Sequence, residues 1–359
     1  MSTAAEFVYE ALPMRVVVGP GTVRRVRGEL DRLGVTRALV LCTPGQRPVG
    51  QAVADLLGEV SAGLLAEARM HVPVAVAERA RDVAREVGAT GCVAVGGGSA
   101  IGLGKAVALD LGLPVVAIPT TYAGSEMTPV WGLTDDTGKH TGRDQRVLPS
   151  SVIYDPELTL SLPAATSVTS GFNAVAHAVE ALYAPDVTPI ISLMAGEGTR
   201  AVVAALPDIA ADPTDLDARS AAQYGAWLCG ACLAATTMSL HHKLCHALGG
   251  TLDLPHAPTH TVVLPHVLAY NQASAPAARR ALGTALDTDD PALTLWQLAG
   301  DLGAPRSLHE LGMAASDIDV IAAQATDNPY ANPRPVTRED VAALLRDAWS
   351  GARPGSSIA

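Results

Sequence analysis

Short apolar runs and amphipathic segments alternate over the first part of the chain. Apolar runs of roughly four to eight residues are typical of buried strands, and apolar positions every three or four residues are typical of helices. The predicted strands are RVVVG (15–19), ALVLC (38–42), GLLAEA (63–68), CVAVG (92–96) and PVVAI (114–118). Because these runs are almost continuously apolar and alternate with helices, they predict a parallel sheet covered on both faces.

The pattern changes in the second half of the chain. Residues 125–155 read as extended pieces with turns, and beyond residue 160 almost every segment has helical periodicity. We therefore predict an α/β domain with a parallel sheet over residues 1–157 and an all-α domain over residues 158–359.

Composition narrows the class of protein. The 359 residues are 48% hydrophobic and 17% charged, which suits two globular domains, and the net charge of −11 disfavours a nucleic-acid partner. The chain shows neither a secretory signal pattern nor an apolar run of roughly eighteen residues, so we expect no membrane partner. A cytoplasmic enzyme for a small molecule is the default expectation. The C-x-x-C motif at 229–232 has no second pair to complete a zinc site, and we interpret it as helix packing.

Two glycine-bearing turns follow predicted strands. Gly97, Gly98 and Ser99 lie between a strand and a helix, where phosphate meets backbone amides, although neither the P-loop nor the G-x-G-x-x-G spacing is present. The second turn supplies the hydroxyls of Thr120, Thr121 and Ser125. Together the turns predict one extended ligand such as a nicotinamide dinucleotide. Thr43 stands where a ribose-binding carboxylate is usual, so we expect NADPH to serve as well as NADH.

Histidines crowd the stretch HHKLCHALGGTLDLPHAPTH, residues 241–260. His242 and His246 are four apart on a predicted helix that ends at LGG, and His256 follows in a predicted loop. Asn173 and His177 are four apart on another predicted helix. This spacing suits a metal, but an amide at 173 lacks the charge that a divalent cation favours. We therefore expect imidazole chemistry rather than a metal centre.

Long motifs make the chain resemble the iron-containing (group III) alcohol dehydrogenase superfamily, which shares its fold with dehydroquinate synthase. These motifs are GGGSAIGLGKAVAL, IPTTYAGSEMT, SGFNAVAHAVEALY and HHKLCHALGGTLDLPHAPTHTVVLPHVLAYN. The resemblance implies an N-terminal dinucleotide-binding domain and a helical C-terminal domain. It implies that Gly97, Gly98 and Ser99 meet the pyrophosphate, that Thr120, Thr121 and Ser125 line the cofactor, and that Lys139 lies near its ribose or phosphate.

The same resemblance implies which residues stand at the metal positions of the family. These are Asn173, His177, His242 and His256, with His246 near the nicotinamide. The motifs WLCGACL, LHHKLCHALGG and NPYANPRPV are more similar to the maleylacetate reductase branch, in which the family's aspartate is replaced by Asn and no metal is expected. Gly102, where the family usually has Asp, is a second departure. The implied activity is NAD(P)H-dependent reduction of the C=C bond of maleylacetate to 3-oxoadipate in the catabolism of aromatic compounds.

Conjugate reduction needs a donor for an enolate oxygen or carbon, and imidazole suits this role. We expect His242 or His246 to donate, with His177, His241 and His256 orienting it and Tyr122 as an extra donor. Lys243 and Arg334 are candidate cations for the two substrate carboxylates, and a homodimer is expected from the family. The alternatives are a metal-dependent alcohol or polyol dehydrogenase, a reductase of another enone dicarboxylate, a lyase that uses NAD transiently, and a binding protein without catalysis.

Overall fold

The computed structural model describes residues 6–357, except for the side chain of Lys139. Contacts divide this part of the chain into an α/β unit and a helical unit. The α/β unit consists of Pro13–Leu162 and Asp212–Gly230, and the helical unit contains Pro163–Ala211 and the residues from 231 onward, with the described N-terminal residues up to Leu12.

The α/β unit contains a six-stranded parallel sheet. Its strands are β1 (Arg15–Val18), β2 (Ala38–Leu41), β3 (Ser61–Leu65), β4 (Gly91–Gly96), β5 (Val115–Pro119) and β8 (Ser151–Tyr154), in the order β1-β8-β5-β4-β2-β3. An antiparallel hairpin forms from β6 (Val130–Asp135) and β7 (Gly138–Arg143). The helices between strands are α1 (Val26–Arg32), α2 (Arg47–Leu57), α3 (Val74–Glu86) and α4 (Gly98–Leu111). The predicted fold class is confirmed for this unit.

The central strands are buried because both of their faces are apolar. Every residue of β2, β4, β5 and β8 is buried, as expected for strands with helices on both sides. Strand order reverses between β2 and β4, since the chain moves from β2 outward to β3 and then returns beside β2 to β4. In open α/β sheets, such a switch point opens a crevice at the carboxyl ends of the strands.

The helical unit carries the histidines on consecutive elements. Its helices are α5 (Ala164–Ala181), α6 (Pro189–Ala211), α8 (Leu240–Leu252), α9 (His256–Asn271), α10 (Pro276–Leu286), α11 (Pro291–Asp301), α12 (Ile318–Thr326) and α13 (Arg338–Ser350); α7 (Leu216–Ala235) begins in the α/β unit. Two local predictions were wrong: α8 continues through the glycine pair to Leu252, and His256 begins α9 rather than lying in a loop.

The segment Asp212–Gly230, which the sequence analysis assigned to the helical domain, groups with the α/β unit. Its buried Arg219 donates to the carbonyl oxygen of Leu162 in the α/β unit at 2.8 Å, and to that of Pro213 within the segment at 3.0 Å. Gln223 likewise donates to the Pro119 carbonyl at 3.3 Å. A boundary at residue 157 therefore misses long-range contacts that hold this segment.

Two further features bear on function classes. Cys229 and Cys232 are fully buried in α7 and are not joined in a disulfide, in agreement with the packing interpretation of the C-x-x-C motif. In the described part of the chain, α6 alone is long and apolar enough to cross a membrane, with 44% of the tested window buried. A core helix passes the same test, and α6 packs against α5, so this is weak evidence for a membrane span.

Candidate active site

The turn between β4 and α4 leaves a helix N-terminus open. Gly96 has a φ of +141°, which favours glycine, and Gly97 is extended and caps α4 without a side-chain hydrogen bond. A Cβ added at Gly98 would meet nothing within 4 Å. The first backbone N–H groups of α4 are thus available to a phosphate, and the open space beside Gly98 lets it approach.

The other predicted cofactor residues converge on the same edge of the sheet. The side-chain amide of Gln46, in the turn after β2, donates to Oγ1 of Thr120, in the turn after β5, at a distance of 2.6 Å. A Cβ at Gly97 would lie 3.1 Å from the Thr121 side chain. Thr43 caps the short turn that follows β2. These contacts surround the carboxyl end of β4 at the switch point, so the residues fit an extended nucleotide.

Lys105 in α4 holds the second turn in place, a role that the sequence analysis missed. Its ammonium group donates to the carbonyl oxygens of Ser125 at 2.6 Å and Val130 at 2.8 Å, and to Thr128 Oγ1 at 3.0 Å. Burial lowers the pKa of Lys105 to about 7, against the opposing charge of Glu126. A lysine within the apolar helix GSAIGLGKAVALDL was the available signal, since buried lysines need partners.

Gly102 shows why the family's usual aspartate is absent from α4. A Cβ added at this position would lie 2.8 Å from Val72 Cγ2. A carboxylate side chain at residue 102 would therefore require the segment around Val72 to move.

Six histidines from α5, α8 and α9 form one cluster within the helical unit. The rings of His177 and His242 stack with centroids 5.1 Å apart, and His246 lies 6.3 Å from His242. His241 Nε2 and His260 Nδ1 are 2.8 Å apart, and the His256 ring lies 4.3 Å from that of His260. The structure therefore brings together all the predicted histidines and adds His260.

The cluster has a buried side and an exposed side. His177, His241 and His260 are buried, and burial lowers the pKa of each, with neighbouring imidazoles adding to the effect. They are neutral near pH 7. His246 and His256 are exposed, and His242 is 7% exposed. The imidazoles exposed to solvent are thus those of His246 and His256, and His242 lies between His246 and the buried ring of His177.

Because His266 on α9 is buried, we expect the folded protein to lose stability in acid. Burial lowers its pKa to about 4, so the unfolded chain binds more protons than the folded one between pH 4 and 6.5. Stability therefore falls as pH drops through this window, by about 2 kcal/mol between pH 7.5 and 5 for this residue. In urea unfolding, H266L should lose correspondingly less stability on acidification than the unaltered protein. An equal loss in both proteins would contradict the assignment.

Glu180 is a buried carboxylate beside the cluster that the sequence analysis did not identify. It is fully buried on α5, and its Oε2 lies 2.7 Å from His242 Nδ1. It also accepts hydrogen bonds from the backbone N–H groups of Ser239 and His241 at the start of α8. The signal was a charged residue among alanine, valine and leucine, three positions after His177.

The residues at the family's metal positions do not form a ligand set. Asn173 offers a neutral amide, and the ligand atoms of His177, His242 and His256 are not all within 4.8 Å of one another. In the described part of the chain, His241, Cys245 and His260 alone meet that distance. However, His241 and His260 are hydrogen-bonded at 2.8 Å, closer than the roughly 3.3 Å between two nitrogens on one tetrahedral zinc.

The other predicted site residues have varied surroundings. Tyr122 is fully buried, and its hydroxyl oxygen accepts from the Arg219 guanidinium at 3.4 Å. Arg334 stacks over the Tyr270 ring at 4.2 Å and lies 3.6 Å from Asp340. Lys243 is half-buried on α8. Lys139 lies in β7, and its side chain is outside the described residues.

Sequence comparison identifies the family of enzymes to which this fold and this site belong. Residues 13–156 match the iron-containing alcohol dehydrogenase family, and residues 167–349 match the family's C-terminal domain. The chain belongs to this family, which confirms the predicted resemblance, fold class and enzyme class.

Within the family, the chain is similar to maleylacetate reductases over almost its whole length. The enzyme of Sphingobium indicum is 55% identical over 349 residues, covering 97% of this chain and 99% of that protein. The enzyme of Pseudomonas knackmussii is 54% identical, covering 98% and 99%. The crystal structure of maleylacetate reductase from Agrobacterium tumefaciens superposes with a TM-score of 0.94 at 51% identity, covering 98% of this chain and 100% of that one.

Proposed function

We propose that the protein reduces the C=C bond of maleylacetate to 3-oxoadipate with NADH or NADPH and without a metal. The observation that carries this proposal is the full-length identity to maleylacetate reductases. The histidine cluster, with Asn173 at a family metal position, supports the metal-free part of it.

The chemistry of an enone explains why imidazoles suffice. A nicotinamide dinucleotide held at the turns with Gly98 and Thr121 would supply a hydride for the alkene carbon β to the ketone, which would leave the electron pair on the carbonyl oxygen as an enolate. His242 or His246 stabilises that oxygen through an N–H donor or delivers a proton to the α carbon, which completes the reduction. An alkoxide from a simple alcohol has no such delocalisation and benefits more from a Lewis acid.

The remaining side chains supply binding and orientation. His177 and His241 pack against His242 and limit its movement, and His256 is proposed to act on it through the intervening ring of His260. Lys243 and Arg334 are the candidate partners of the substrate carboxylates. We further propose a cytoplasmic homodimer without nucleic-acid or membrane partners, on the basis of the family resemblance and the net charge of −11.

A metal-dependent alcohol dehydrogenase is the second candidate. The observation in its favour is a crystal structure of an iron-containing alcohol dehydrogenase from Corynebacterium glutamicum, which is 44% identical with a TM-score of 0.92.

The two candidates differ in their response to chelation. We expect the purified protein to oxidise NADH or NADPH in the presence of maleylacetate at the same rate with and without EDTA, because no step needs a metal. Metal content is measured on the same sample. Stoichiometric iron or zinc together with chelator-sensitive alcohol oxidation would establish the second candidate instead.

A further inference from the structure

Glu180 accepts hydrogen bonds from backbone groups that begin α8. Oε1 accepts from the His241 N–H at 2.7 Å, and Oε2 accepts from the Ser239 N–H at 2.8 Å and the His242 N–H at 3.3 Å. An anion at a helix N-terminus is favoured by the helix dipole and satisfies N–H groups that lack partners within the helix. Ser239, at the N-cap position, provides no side-chain cap of its own.

The contact with His242 goes beyond helix capping. Oε2 lies 2.7 Å from Nδ1 of the ring. Because this oxygen already accepts from backbone N–H groups, it is an acceptor toward the ring as well, and Nδ1 must carry the hydrogen. Which ring nitrogen is available for chemistry is set by the hydrogen bond that the other nitrogen makes.

The other ring nitrogen of His242, Nε2, is the atom that a ligand would contact. Nε2 is buried and has no hydrogen-bond partner among the described residues. Buried polar atoms without a partner are rare in folded proteins, and those that remain often face a ligand or water. The stacked ring of His177 on one side and the ring of His241 on another restrict the orientation of the imidazole.

We infer that Glu180 is a positioning residue that fixes His242 in its Nδ1–H form, so that Nε2 is a hydrogen-bond acceptor toward the substrate and His246 is left as the donor to the enolate. This inference rests on the proposed function for its kinetic consequences only. Glu180 does not touch the substrate, and it acts through the orientation and tautomer of His242, in the manner of carboxylates that orient a catalytic imidazole.

The test is E180Q, observed by ¹⁵N NMR of histidine-labelled protein and by steady-state kinetics. In the unaltered protein, the His242 ring should give the signature of Nδ1–H with a bare Nε2. Replacing the carboxylate by a neutral amide removes the charge that favours the Nδ1–H form and puts an N–H donor in place of one oxygen, so E180Q should shift the ring toward Nε2–H. We expect kcat to fall roughly 100-fold with the KM for NADH changed less than about threefold.

D186N is the matched control. Asp186 also accepts a backbone N–H, from Thr237 at 3.0 Å, and contacts no histidine of the cluster. It should keep both kcat and the His242 signature. In an H242A background, E180Q should cause little further loss of kcat, because its effect passes through the missing ring.

Three results would overturn the inference. These are an Nε2–H signature for His242 in the unaltered protein, an unchanged signature in E180Q, or a full further loss of kcat from E180Q in H242A. The first needs no variant, so the inference remains testable if E180Q does not fold. Failure of the proposed function would appear separately, as absence of maleylacetate reduction by the unaltered protein, while the NMR result still reports on Glu180.

Discussion

Alanine at His242 or His246 is expected to lower kcat by roughly 10²–10⁴-fold with NADH binding nearly intact. The two rings are neighbours on α8, with their centroids 6.3 Å apart. The loss of the donor should raise the barrier to the chemical step, whereas the nucleotide turn lies in the α/β unit and is unchanged. Steady-state kinetics and NADH titration by fluorescence measure the two effects.

The size of each loss identifies the donor. The variant that removes the proton donor should lose the larger factor, and the other should lose less because it affects only orientation. H309A is the control, since His309 lies outside the cluster against Trp349 and should retain full turnover. Near-normal turnover in both H242A and H246A would remove the histidine cluster from the mechanism.

Valine at Gly98 is expected to weaken NADH binding at least about tenfold without unfolding the protein. The space around this position is open, so the fold accommodates a side chain, but that side chain occupies the approach of the pyrophosphate to the first turn of α4. Valine is a poorer helix former than alanine, yet far less disruptive than a change at Gly96, where φ is +141°. Calorimetric titration with NADH gives the affinity.

G28A provides the comparison for this variant. Gly28 in α1 also has open space around it, and nothing in the structure connects it with the nucleotide turn. It should bind NADH normally. Unchanged affinity in G98V would show that the phosphate does not approach through this turn.

Periodicity predicted the fold well because it records which face of an element is buried. The strands β2, β4 and β5 are apolar at every position, so their place in a covered sheet follows directly. The assignment of Asp212–Gly230 could not be predicted in the same way. Arg219 and Gln223 of this segment reach the carbonyl oxygens of Leu162 and Pro119, which are distant in sequence, and helical periodicity contains no information about such contacts.

Spacing predicted part of the site and missed its polar partners. The i, i+4 relation of His242 and His246 placed both on one side of α8, whereas placing His256 in a loop concealed that His260 follows it by one helical turn. Glu180 and Lys105 were missed although each is a charged residue in an apolar helix. In such positions a charge needs a specific partner, but the sequence does not name the partner.

The hydrogen bond between Gln46 and Thr120 has a consequence for the thermodynamics of cofactor binding. It joins the turn after β2 to the turn after β5, on either side of the glycine turn that ends β4. The turns after β2 and β5 are thereby joined in the folded protein before any nucleotide arrives. Binding then requires little additional ordering of the chain, so a larger share of the contact free energy is retained as affinity.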